Sequence, residues 1–195
     1  MNILLFTLKL RIQAAILFGL LTIVGIVDAQ PIYLSTGGKC IFSSATAVEN
    51  ISAFSESVSA IINSQTKEVQ FKVPMTTFVF KRALMREHFN KKYVESDKFP
   101  FATFKGIMNE DIDFSKDGVF EVTATGILTI HGIDKQVTEK GTITIKAGKF
   151  NISNEFKVSL KDFHITIPRI VIANVSEFIN IKLDCAFNPY TKTKP

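Results

Sequence analysis

Alternation with a period of two runs through most of this chain, and it leaves little room for any architecture other than antiparallel strands. Between residues 149 and 161, Phe150, Ile152, Phe156, Val158 and Leu160 share one face, interrupted only by Asn154. Asn151, Ser153, Glu155, Lys157, Ser159 and Lys161 share the other. One apolar face and one wet face is the pattern of a half-buried antiparallel strand. Residues 119–131 repeat it, with Phe120, Val122, Ala124, Leu128 and Ile130 on the apolar side. Gly126 falls on that same side, where a missing side chain predicts a bend or bulge. Ile179, Ile181, Leu183, Cys185 and Phe187 form a third such face, and residues 68–73 and 142–147 behave likewise.

Turn signals separate these runs. Ser115-Lys116-Asp117-Gly118 contains an Asp-Gly pair and predicts a hairpin between residues 101–114 and 119–130. His131-Gly132 and Ala147-Gly148 mark the next two turns, and Gln65-Thr66-Lys67 joins residues 58–63 to 68–75. With residues 39–44, the chain carries about eight strands at hairpin spacing. A meander of this kind must close on itself or cover its edges to avoid edge-to-edge aggregation. Residues 80–96 alone break the period. There Leu84 and His88, and Met85 and Phe89, are i,i+4 pairs, which predicts a short helix before Pro100. A helix inserted between strands suits either a lid over one barrel end or a filler of core space.

The amino-terminal residues follow a different logic. Lys9 and Arg11 precede an apolar run from Ile12 to Val27, and Val27-Asp28-Ala29 supplies small residues at a cleavage site. This is the layout of a secretory signal, and the run is shorter than the roughly 20 residues of a spanning helix. The expected organisation is a signal peptide over 1–29, one domain over 30–190, and a frayed tail over 191–195, in a periplasmic or secreted protein. Export and the lack of a dense basic stripe exclude nucleic acid, despite a net charge of +5. Two cysteines exclude a disulfide-dense scaffold. Cys40 and Cys185 lie near opposite ends of the exported chain; a bridge between first and last strands and two buried free thiols both stay open.

A resemblance emerges at Leu84-Met85-Arg86-Glu87-His88-Phe89-Asn90, followed by Tyr93, Glu95-Ser96, Phe99-Pro100 and Thr103-Phe104. It continues at Gly126-Ile127-Leu128-Thr129-Ile130-His131-Gly132-Ile133 and at Lys161-Asp162-Phe163-His164-Ile165, with Phe42-Ser43-Ser44-Ala45 and Glu49 upstream. Over roughly residues 38–188 the chain resembles the YceI-like family of exported, lipocalin-like barrels that bind lipids and polyisoprenoids. Two departures stand out: the first strand lacks the His-Ser pair of many members, and His164 stands where Gly is common.

The resemblance implies an all-β fold, an antiparallel eight-stranded lipocalin-like barrel with a short helix inserted between strands. It implies a cavity holding a long apolar ligand, with Leu84, Met85, Arg86, His88, Phe89, Tyr93, Phe104, Phe120 and Leu128 as ligand-contacting residues. Sixteen Phe beyond residue 29, and no Trp in the chain, suit a lining without unsatisfied donors. Arg86 can offer a bidentate fork to a phosphate or carboxylate head group, and His88 a pH-sensitive donor. The expected partner is an amphiphilic lipid, with transient membrane contact and a homodimer left open.

No enzyme, cofactor or metal is expected. His88, His131 and His164 fall on different elements with no paired spacing, and there is neither a nucleophile-elbow pattern nor a Gly-rich phosphate loop. Two rivals remain: a solidly packed barrel acting as an interaction module, and an enzyme working on a lipid head group through Glu87, His88 and Glu95.

Overall fold

The computed structural model describes residues 32–168 and 175–190. The expected signal peptide and frayed tail lie outside the described residues. Within them the order is β1 (Ile32–Ala45), β2 (Asn50–Asn63), β3 (Glu68–Pro74), β4 (Val79–Phe80), helix α1 (Ala83–His88), β5 (Phe101–Met108), β6 (Gly118–Ile130), β7 (Ile133–Lys146), β8 (Lys149–Ser159) and β9 (Phe178–Pro189). Neighbours run β1-β9-β8-β7-β6-β5-β3-β2, and β2 pairs back onto β1, so eight strands close into an antiparallel barrel. Closure leaves free edge only where β7 and β8 part beyond Gly141 and Asn154, which largely answers the aggregation problem posed by so many amphipathic strands.

The two-residue strand β4 is in effect the resumption of β3. Both pair with β2, β3 at Ser59–Ile62 and β4 at Ala53–Phe54, and one 3-10 turn (Met75–Thr77) separates them. The Thr77 hydroxyl holds that turn, donating to the Pro74 carbonyl at 2.7 Å and meeting Ser55 Oγ at 2.6 Å.

Two local details differ from expectation. The hairpin of β5 and β6 expected around Asp117-Gly118 is present, but β5 ends at Met108, well short of residue 114, and residues 109–117 form a longer loop. Asp113 organises it by accepting from the Ser115 amide and hydroxyl, while Asp117 accepts from the Ala147 amide on the adjoining turn. Gly126 marks no bulge, because the β5–β6 register runs unbroken from Thr103↔Thr129 to Met108↔Ala124. Gly126 lies opposite Gly106, and a Cβ on it would collide with the Lys105 carbonyl and the Gly106 Cα. The pair permits close backbone approach at an unbroken register. The His131-Gly132 turn behaves as expected, with both residues at positive φ (52° and 72°).

The two ends of the barrel differ. At the end where β1 starts and β9 finishes, Tyr33, Phe114, Phe150 and Phe187 stack into an aromatic plug. Phe150 is its centre, with ring centroids 4.8 Å from Tyr33, 4.8 Å from Phe114 and 4.9 Å from Phe187. The opposite end carries α1 and its continuation, the single π-helical turn Phe89–Tyr93, between β4 and β5.

Candidate functional site

Below α1 the barrel is not filled. A cavity of about 380 Å³ runs from the helix-bearing end down the barrel as far as Val69 and Met108, within the range of roughly 300–1,000 Å³ common for ligand sites. Inward positions of the strands supply its wall: Phe71 and Val73 from β3, Phe104 from β5, Val122, Ala124 and Leu128 from β6, Ile143 from β7, Ile152, Phe156 and Val158 from β8, and Ile181 and Leu183 from β9. The plug residues Tyr33, Phe114, Phe150 and Phe187 are not among its lining, so the cavity stops short of that end.

The helix closes the other end through its half-buried side. Met85, His88, Phe89 and Tyr93 line the cavity, together with Val94. Phe89 is the latch. Its ring stacks on Phe42 at 5.3 Å and 18°, and meets Phe78 at 5.5 Å and Phe80 at 5.1 Å. The π turn places it there: the Val94 amide donates to the Phe89 carbonyl, five residues back, and this widened turn brings both Phe89 and Tyr93 to the cavity side.

Six of the nine residues expected to contact a ligand therefore share this cavity: Met85, His88, Phe89, Tyr93, Phe104 and Leu128. Three do not line it. Leu84 is 61% exposed on the outer side of α1, since it leads Met85 by one residue on a six-residue helix. Arg86 is exposed too, and its contribution to the local structure is a carbonyl that accepts from Asn90 Nδ2. Phe120, the third residue of β6 from the plug end, packs against the main core cluster without lining the cavity.

The remaining candidates have structural partners. His131 bridges two segments of the lid end, with Nδ1 3.1 Å from the Phe163 carbonyl and Nε2 3.1 Å from Glu95. Glu95 also accepts from Lys98, and these two contacts, Lys98 first, hold its carboxyl below the usual range. Glu87 pairs with Lys91 at 3.0 Å and His88 Nε2 lies 3.4 Å from Lys92 Nζ, so Glu87, His88 and Glu95 do not converge. His164 sits at φ 54°, capping the 3-10 turn Lys161–Phe163 in the left-handed region, which explains why Gly suits that position. Among the described residues no group of three or more His, Cys, Asp or Glu is placed to hold a metal.

Cys40 and Cys185 lie on the neighbouring strands β1 and β9 as buried free thiols. Burial pushes Cys40 up to about 12, helped by the nearby Cys185, and Cys185 up to about 11. Cys40 thus presents a neutral, soft wall to the cavity.

Polar lining is sparse, and two of its members escaped the sequence reading. Glu139 on β7 and Asn154 on β8 both line the cavity. The signal was available in the alternation Val137, Glu139, Gly141, Ile143, Ile145, which places a carboxylate on an otherwise apolar inward row. At the mouth, Glu49 lines the cavity and accepts from Arg82 at 2.7 Å.

A family model described as the YceI-like domain matches residues 35–187. Among solved structures, the chain is similar to a polyisoprenoid-binding domain from Saccharophagus degradans implicated in plant cell wall breakdown. That match has 12% identity, covers 83% of this chain and 99% of that one, and has a TM-score of 0.70. BcnA from Burkholderia cenocepacia matches at 15% identity, over 76% and 95% of the two chains, with a TM-score of 0.64. The YceI protein of Campylobacter jejuni matches at 19% identity, over 72% and 85%, with a TM-score of 0.56. No curated protein sequence matches the chain.

Proposed function

Because this chain belongs to the family of the YceI-like domain, we propose that it is an exported carrier or store for a long apolar lipid, an isoprenoid chain above all. The carrying observation is the cavity of about 380 Å³ beneath α1, walled almost wholly by hydrocarbon and aromatic side chains. A void of that kind is unfavourable when empty, because its lining lacks contacts that filled cores have. At about 0.8 kcal/mol per buried CH2, a fifteen-carbon chain would gain about 12 kcal/mol gross before ordering costs.

The void also speaks against a solidly packed interaction module. Binding is favoured over head-group catalysis because Glu87, His88 and Glu95 each engage a separate partner. Export rests on the signal layout of residues 1–29. Among the described residues no helix is long and apolar enough to cross a membrane.

Native mass spectrometry of the protein purified from its own source tests the reading. The expected result is a non-covalent adduct that lipid extraction identifies as an isoprenoid. A spectrum free of lipid, with no uptake of isoprenoids by the same sample, would overturn it.

A further inference from the structure

The barrel wall is not continuous. β7 and β8 pair from Lys146↔Lys149 only as far as Gly141↔Asn154, although β7 extends back to Ile133 and β8 onward to Ser159. Beyond that point β7 keeps its pairing to β6 and β8 keeps its pairing to β9, so the two strands part like a wedge toward the lid end. The turn at Lys161–Phe163 packs against both strands at the wide end, where Phe163 and Ile165 join Leu128 and Val158 in a small second core.

At the apex of the wedge stand two polar residues of the cavity wall, Glu139 and Asn154, with the exposed Lys140 between Glu139 and Gly141. The Asn154 side-chain amide donates to the Lys140 carbonyl and closes the apex. Glu139, one inward position beyond Gly141, is the first inward side chain of β7 past the end of the ladder, and it is half-buried. Among the described residues its carboxylate has no hydrogen-bond or ion-pair partner. Burial alone pushes its pKa upward. A carboxyl facing an apolar cavity without a donor is costly, and a bound group that supplies the donor removes that cost.

We propose that Glu139, beside Asn154 at the parting of β7 and β8, is the subsite for the polar end of the cargo, and that it takes an uncharged hydroxyl-type donor and rejects phosphate and carboxylate. This rests on the lipid-carrier reading and adds the chemistry of the head group. A hydroxyl donates its proton to the carboxyl oxygen while the chain lies among Phe104, Leu128 and Phe156. A phosphate at the same place meets a like charge in a poorly solvated wall, which is strongly unfavourable. It also lies beyond any help from Arg86, which is outside the cavity.

The test compares three probes of one chain length on the delipidated full-length exported protein: geranylgeraniol, its monophosphate, and the hydrocarbon lacking the hydroxyl. Binding is read by native mass spectrometry and by displacement of a fluorescent fatty polyene. The wild type should prefer the alcohol to the monophosphate by at least about tenfold, the size of one charge-assisted hydrogen bond. Glu139→Leu should weaken the alcohol about tenfold while leaving the hydrocarbon within about twofold, which also shows that the variant is folded. Glu139→Gln should retain the alcohol and narrow the bias against phosphate. An unchanged ratio of alcohol to hydrocarbon in Glu139→Leu, or a wild type that prefers the phosphate, overturns the subsite and leaves the carrier reading standing. Failure of all three probes to bind the wild type takes down both.

Discussion

Replacing Phe89 by Ala should release the lid without unfolding the barrel. The ring contacts Phe42, Phe78 and Phe80 at 5.3, 5.5 and 5.1 Å. Three such pairs at about 0.5–1.5 kcal/mol each add to the burial lost on truncation. Phe89 is only half-buried and borders an existing void, so the total belongs near the low end of the range for Phe→Ala, about 3 kcal/mol. Little else holds the element. α1 has six residues, none buried, and no side-chain cap at its start, whereas isolated helices need roughly 12–15 residues to be even marginal in water. Phe42 keeps its own contacts to Phe78 and Phe80, at 5.3 and 5.6 Å, so the wall beneath stays packed. The loss should therefore appear as local opening, with its population raised by about two orders of magnitude. Native-state amide hydrogen exchange reads this directly. Protection over residues 83–93 should fall by about a hundredfold, while β6 and β7 keep most of theirs, and bound lipid should dissociate faster. Unchanged protection in the helix, or an equal loss across helix and strands, would refute the latch.

Further outcomes follow from the close approach of β5 and β6 at Gly106 and Gly126 and from the buried thiols. Gly126→Ala places a methyl against the Lys105 carbonyl and the Gly106 backbone, and urea unfolding should show a loss of about 3 kcal/mol or more, the upper range for overpacking. Gly148→Ala, at φ 72° with open space around it, should cost only about 1–2 kcal/mol from the left-handed backbone; equal losses at both sites would sink the steric account. With thiol pKa values raised to about 12 and about 11, Cys40 and Cys185 should resist alkylation at pH 8 in the folded protein and react together on unfolding. Because these values lie above the ordinary 9.0, the stability they contribute is complete below pH 9 and declines as pH climbs from about 9 towards 12. Rapid labelling of either thiol at pH 8 without unfolding contradicts the burial, and a mass two protons lighter than the reduced form contradicts the free thiols.

Strand identity was legible because alternation is a local property: each inward row, such as Phe150, Ile152, Phe156 and Val158, can be read without knowing its neighbours, whereas closure into a barrel is not local and came only with the family resemblance. Depth along the barrel is not local. Phe120 and Leu128 occupy the same face of one strand, yet Leu128 lines the cavity and Phe120 does not. Nothing in the row itself says where the void ends. Helical spacing selected the neighbourhood of the lid, but Leu84 and Arg86 depended on the exact facing of a helix barely more than one turn long. The Asp117-Gly118 signal located the β5–β6 hairpin but not the end of β5, because the connecting loop is organised by side-chain acceptors, Asp113 and Asp117, that an alternation pattern does not reveal. Glu139 was visible as an interruption in its row; its significance needed the end of the β7–β8 ladder, a tertiary fact.

The aromatic stack of Tyr33, Phe114, Phe150 and Phe187 makes the barrel a blind well. If the barrel carries a lipid as proposed, that lipid cannot thread through this floor, so it would have to leave by reversing its course. The well floor would then also act as a depth gauge: a chain that bottoms out before it is fully swallowed would leave its remainder protruding, a handle for whatever receives it.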